Sequence, residues 1–99
     1  MEQKTILITG ASGRLGTAFA RGVVASGSRV FLIDLDEEKG RQLVAELGTQ
    51  QADFLVADIT TVSGIRTAIQ ACLARFGKVD AVVHAAYPRS VGWGATLEN

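Results

Sequence analysis

Apolar and polar positions along this chain switch repeatedly between two rhythms. Residues 4–9 (Lys-Thr-Ile-Leu-Ile-Thr) are a short, β-branched, mostly apolar run, which predicts a strand covered on both faces. A Gly-rich stretch follows. Leu15, Ala18, Phe19, Gly22 and Val23 then recur at helical spacing, and Gly27 supplies a stop. Residues 29–33 (Arg-Val-Phe-Leu-Ile) predict a second strand ending at Asp34. Asp36 is placed to cap a second helix, with Glu37 and Glu38 in its first turn, where the helix dipole favours acids. Its apolar stripe is Leu43, Val44 and Leu47, and Gly48 ends it. Residues 52–57 predict a third strand leading to Asp58. Thr60 or Thr61 caps a third helix with the stripe Val62, Ile65, Ala68, Ile69, Cys72, Leu73 and Phe76, stopped by Gly77. Residues 79–85 predict a fourth strand, and the aperiodic remainder, with Pro88, Gly92 and Gly94, reads as loop.

The predicted order is β-α-β-α-β-α-β with short connections. Such alternation belongs to the α/β class, a parallel sheet with helices on its faces. Right-handed crossovers give the strand order 3-2-1-4. No linker or composition shift divides the chain, so residues 1–99 read as one unit.

Composition narrows the function classes. Lys+Arg and Asp+Glu number 10 each, so the formal net charge is zero. A general nucleic-acid binder needs a basic footprint, and this chain lacks one. No apolar run approaches the roughly 20 residues that span a bilayer, and Met1-Glu2-Gln3-Lys4 carries no leader-like apolar region. Cys72 is the single cysteine, which excludes an intrachain disulfide and a cysteine metal cluster. A cytoplasmic protein without a metal is the expectation.

The candidate chemistry lies in Thr9-Gly10-Ala11-Ser12-Gly13-Arg14-Leu15-Gly16. This turn follows a strand, opens a helix and precedes an acid at the end of the next strand, as in dinucleotide-binding turns. Gly10 allows the tight turn, Gly13 lets a ligand approach the backbone, and Gly16 lets the helix pack closely. The helix N-terminus directs N–H groups at a pyrophosphate, which makes Gly10, Ser12, Gly13, Arg14, Leu15 and Gly16 candidate binding residues. Asp34, 18 residues past Gly16, can accept hydrogen bonds from both adenosine ribose hydroxyls and favours NAD over NADP. Arg14 keeps NADP open, because a guanidinium can meet a 2′-phosphate bidentately.

Asp58 and Ile59 close the third strand at the carboxyl edge, where such sheets bind ligands. Asp58 accepts from an adenine amino group or caps the following helix; both readings stand. His84, Ala85 and Ala86 close the fourth strand beside the switch point between strands one and four. The small residues there admit a nicotinamide ribose. His84 is either a general base or a satisfied structural group, and Cys72 reads as core. Tyr87, Arg89 and Trp93 either line a substrate site or belong to a surface loop.

The pattern from Lys4 to about Tyr87 resembles the short-chain dehydrogenase/reductase family. The segments that carry the resemblance are the Gly-rich turn, Asp34, Val56-Ala57-Asp58-Ile59-Thr60 and Arg75-Phe76-Gly77-Lys78-Val79-Asp80. It implies a Rossmann-like doubly wound sheet, here in part, and NAD(P)-dependent interconversion of an alcohol and a carbonyl. The commonest branch spaces its glycines Thr-Gly-x-x-x-Gly-x-Gly. Here the second glycine stands one position earlier, similar to the extended and atypical branches. His84-Ala85-Ala86-Tyr87 stands where the commonest branch has Asn-Asn-Ala-Gly. Ala85-Ala86-Tyr87-Pro88-Arg89 resembles members linked to bacterial surface-glycan and flagellin modification. The family's Tyr-x-x-x-Lys pair has no match, since Tyr87 is the one tyrosine and position 91 is Val. The resemblance therefore implies the cofactor-binding portion of a longer enzyme, itself without turnover. The alternative is a stand-alone dinucleotide-binding or regulatory module. Val79, Ala81, Val82 and Val83 on an edge strand also predict association into a homo-oligomer.

Overall fold

A computed structural model describes residues 3–11 and 13–85. The elements follow the predicted order: β1 (Thr5–Thr9), α1 (Arg14–Ala25), β2 (Arg29–Asp34), α2 (Glu37–Leu47), β3 (Ala52–Val56), α3 (Val62–Phe76) and β4 (Ala81–His84). The sheet order is β3-β2-β1-β4, and every neighbouring pair is parallel. Thr9 pairs with Ile33 on one side and with His84 on the other. The ends of β2 and β4 therefore flank the start of the Gly-rich turn.

The two central strands are the apolar runs and are covered on both faces. Ile8, Val30, Leu32 and Ile33 are almost completely buried. Ile8, Val30 and Leu32 pack with Ala20 of α1 and Leu43 of α2. Leu7, Phe31 and Ile33 pack with Ala68, Cys72 and Phe76 of α3. One face thus carries α1 and α2 and the other carries α3.

The helix ends follow local chemistry. Asp36 caps α2 by accepting from the Lys39 amide at 3.1 Å. Thr61 caps α3, accepting from the Gly64 amide at 2.9 Å. Gly77 takes the left-handed conformation that ends α3, at φ 84°. The fourth strand is shorter than the predicted 79–85. The Asp80 carboxylate accepts from the Thr5 amide at 2.7 Å, and the strand pairing itself runs from Ala81 to His84.

Two predicted helix stripes need correction. In α1 the buried residues are Gly16 and Ala20, whereas Leu15 and Phe19 are exposed. Small residues let the helix axis approach the sheet, and the larger apolar residues are carried to the flank. In α3, Ala68, Cys72 and Phe76 are buried one turn apart. Val62, Ile65, Ile69 and Leu73 lie on an exposed stripe beside them, and Val82 of β4 is exposed as well.

Candidate functional site

The Gly-rich turn is tied to the end of β2 by the backbone. The amides of Gly10 and Ala11 both donate to the Ile33 carbonyl, at 2.9 and 3.3 Å, and the Gly13 amide donates to the Gly10 carbonyl at 3.2 Å. The Thr17 hydroxyl donates to the Ala11 carbonyl at 3.1 Å. Gly10 sits at φ 69°, a left-handed conformation that disfavours a side chain. A β-carbon on Gly16 would stand 2.5 Å from the Gly10 oxygen and 2.8 Å from the Ala11 Cα. Gly16 is therefore required by contact with the turn itself. Gly13 differs: its φ is −77°, and a β-carbon there would meet only the Gly10 oxygen, at an ordinary 3.6 Å. Among the described residues nothing in the packing demands glycine at 13, as expected where the bare backbone faces a ligand.

The start of α1 stands apart from the other two helix starts. Asp36 and Thr61 occupy the amides at the starts of α2 and α3, and α2 adds Glu37 and Glu38. Gly13 offers α1 no side-chain cap, and the first turn of α1 has no acid. Helical geometry leaves the amides of Arg14, Leu15 and Gly16 without intrahelical acceptors. They form a cluster of donors at the positive end of a helix dipole, suited to an anion.

Asp34 lies across from this turn at the end of β2. Its Oδ1 accepts from the amides of Leu35 (2.6 Å) and Asp36 (3.2 Å), which fixes the carboxylate at the carboxyl edge of the sheet. Asp36, not Asp34, is the cap of α2. The cap reading of Asp58 is likewise set aside, because Thr61 caps α3. Asp58 Oδ1 instead accepts from the Thr60 amide at 2.9 Å and the Thr60 hydroxyl at 2.5 Å. These two bonds, the hydroxyl first, hold its carboxyl below the usual aspartate range. It stays ionised and exposed, an acceptor at the edge beside the half-buried Ile59. Gly64 permits this turn, since a β-carbon there would fall 1.7 Å from the Asp58 carbonyl oxygen.

His84 ends β4 beside β1, and its Nδ1 shares a hydrogen bond with the Thr9 hydroxyl at 2.9 Å. Ala85 is buried and donates its amide to the Thr9 carbonyl at 2.9 Å. The fold thus brings Gly10, Gly13, Arg14, Leu15, Gly16, Asp34, Asp58, Ile59, His84 and Ala85 to the carboxyl edge of one sheet. Ser12 and Ala86, with Tyr87, Arg89 and Trp93, lie outside the described residues. Sequence reading missed the Ile33 carbonyl, the Thr17 hydroxyl and Gly64, and it named Thr60 only as a possible cap of α3, whereas Thr61 is the cap and Thr60 binds Asp58. A backbone carbonyl leaves no mark in the residue types, but Thr60, two residues after Asp58, is a recognisable turn signal.

A cavity of about 540 Å³ opens elsewhere, between α2 and the outer edge of β3, lined by Glu37, Arg41, Val44, Asp53 and Phe54 among others. It contains none of the edge residues above. Among the described residues no group of three or more His, Cys, Asp or Glu side chains is placed to hold a metal ion.

Residues 4–91 match the family model described as short chain dehydrogenase. Momilactone A synthase of Oryza sativa subsp. japonica is 38% identical over 77 residues, covering 78% of this chain and 28% of that protein. Among solved structures, 3-ketoacyl-(acyl-carrier-protein) reductase from Brucella melitensis, complexed with NADH, is 33% identical. The match has a TM-score of 0.78 and covers 82% of this chain and 33% of the other. A variant of actinorhodin polyketide ketoreductase with NADPH is 32% identical with a TM-score of 0.80, covering 87% and 34%. The chain therefore spans about a third of the length of the proteins it matches.

Proposed function

Since this chain belongs to the short-chain dehydrogenase family, we propose that its 99 residues are the NAD(P)-binding portion of a longer oxidoreductase that interconverts an alcohol and a carbonyl. The observation that carries this reading is the start of α1. Of the three helix starts among the described residues it alone has no side-chain cap, and it follows a turn whose conformation needs Gly10 and whose close packing needs Gly16. An uncapped, dipole-positive helix start is the place for a pyrophosphate. Arg14 and Leu15 present amides to it, Gly13 keeps the approach clear, and Ser12 belongs to the binding turn in this reading. Asp34 would accept from the adenosine ribose hydroxyls, which favours NAD. Asp58 and Ile59 would border the adenine, and His84, Ala85 and Ala86 the nicotinamide ribose. The bound dinucleotide would carry the hydride.

The test is calorimetric titration with NAD, NADP and ADP. We expect binding of all three, tightest for NAD. No heat at millimolar ligand would overturn the reading.

The small-molecule substrate belongs to the longer protein in this proposal, since the single tyrosine, Tyr87, has no lysine four residues on and a proton-transfer pair of the family's kind is lacking. That same observation favours, as a second reading, a dinucleotide-binding module without turnover. Hydride transfer from NADH to a carbonyl panel by these 99 residues would rule the second reading out. The exposed apolar stripe of α3 and Val82 on β4 support a homo-oligomer, to be checked by light scattering. The free, buried thiol of Cys72 fits a reducing compartment, and the cytoplasm is the location proposed.

A further inference from the structure

Three carbonyls of the Gly-rich turn are occupied from within the turn and helix. The Gly10 carbonyl accepts from the Gly13 amide at 3.2 Å, and the Gly13 carbonyl accepts from the Thr17 amide at 2.9 Å. The Ala11 carbonyl accepts from the Thr17 hydroxyl at 3.1 Å. One residue, Thr17, thus holds the carbonyls of both Ala11 and Gly13. Thr17 is half-buried in α1, and Ala11 is fully buried. A helical threonine ordinarily turns its hydroxyl to a carbonyl three or four residues earlier. Here the bond reaches back six residues and leaves the helix for the turn. Gly16 brings the two segments this close, since a β-carbon on it would stand 2.8 Å from the Ala11 Cα.

We propose that Thr17 is a positioning residue for the dinucleotide's pyrophosphate: its hydroxyl pins the Ala11 carbonyl, so that the turn offers the anion amides rather than that carbonyl. The inference rests on the dinucleotide reading above and deepens it. A peptide carbonyl carries partial negative charge and an amide partial positive charge. A carbonyl swung toward a pyrophosphate would offset part of the attraction of the Arg14, Leu15 and Gly16 amides. With glycine at 10, 13 and 16, an unpinned turn has many conformations to choose from. Fixing it before the ligand arrives lowers the ordering cost of binding. The other two helix starts are fixed from ahead. Asp36 and Thr61 accept from the Lys39 and Gly64 amides, and so occupy donors of the first turn. Such a cap on α1 would take up the amides that the anion needs. Thr17 fixes the start of α1 from inside the helix, as a donor to a carbonyl, and occupies none of them.

Titration with ADP and with adenosine, which lacks the pyrophosphate, tests this. Thr17→Val keeps the branched shape and removes the donor. It should weaken ADP and NAD about five- to twentyfold and leave adenosine within about twofold. Thr17→Ser restores the hydroxyl and should return ADP affinity to within about twofold of the parent. An unchanged ADP affinity in Thr17→Val, a loss shared equally by ADP and adenosine, or a loss that Thr17→Ser does not restore overturns the proposal. Should Thr17→Val not fold, Thr17→Ala, a better helix former, carries the same comparison with the same outcomes. If the parent binds neither NAD nor ADP, the dinucleotide reading falls. Thr17 is then judged on inorganic pyrophosphate alone. Binding by the parent that Thr17→Val loses keeps Thr17 as the holder of an anion site, and equal or absent binding sinks it.

Discussion

The α-carbon of Gly16 sits against the carbonyl of Gly10, so that a β-carbon at position 16 would lie 2.5 Å from that oxygen. The contact is backbone to backbone and cannot be relieved by turning a side chain. Gly16→Ala should therefore cost about 2 kcal/mol or more in urea unfolding and should weaken NAD binding by displacing the turn. Gly22→Ala is the control. It lies in the same helix with nothing within 4 Å of the added carbon, and it should be neutral or stabilising by up to about 1 kcal/mol.

Asp34 is oriented by the Leu35 and Asp36 amides at the end of β2. Under the proposed function, Asp34→Ser removes a charged acceptor from the ribose and a repulsion from a 2′-phosphate. NAD affinity should fall about ten- to a hundredfold, and NADP affinity should hold or rise. Paired titrations with the two nucleotides measure the ratio. An unchanged ratio would remove Asp34 from the site.

Cys72 is fully buried between α3 and the sheet. Burial pushes its thiol up to about 11, against a weaker opposing pull from Arg29. A group whose folded value is raised lends stability at lower pH and loses it as pH climbs through the folded value. Unfolding free energy should drop by about 2–3 kcal/mol between pH 9 and 11 through this group. Cys72→Ala should show a shallower fall, from a baseline lowered by about 1 kcal/mol for the missing sulfur. Iodoacetamide should label the native thiol only as fast as the protein opens.

Asp80 governs the acid side. The Thr5 amide, with help from Lys78, holds its carboxyl below the ordinary aspartate value. Its contribution is present above that ordinary value and is lost as pH falls through the lowered one. Asp80→Asn keeps an acceptor for the Thr5 amide but removes the charge. Its stability should therefore change less than the parent's between pH 6 and 2.5 in parallel urea titrations.

Much of this was legible in the residues. The cap Asp36, the cap at Thr60 or Thr61 and the stop at Gly77 are local events. Each cap depends on a side chain and an amide three residues on, and the stop on the backbone freedom of one glycine. The strand order followed from alternation and handedness, which need no contact information. The turn glycines were legible as a spacing, but their separate reasons were not. Gly16 answers to the Gly10 carbonyl, while a β-carbon on Gly13 would make only an ordinary contact with it among the described residues.

The sequence by itself determined the alternating elements, their parallel order and the carboxyl edge on which the candidate residues gather. Apolar periodicity and local capping act within one element at a time. Tertiary structure alone decided which of two adjacent apolar stripes each helix buries. Gly16 and Ala20 face inward rather than Leu15 and Phe19, and Ala68, Cys72 and Phe76 rather than Val62, Ile65, Ile69 and Leu73. Neighbouring stripes on one helix share the same period, so only the closeness of approach to the sheet separates them. It also decided that Thr9 meets His84, because 75 residues of chain separate that pair and only the register of β1 on β4 brings them together.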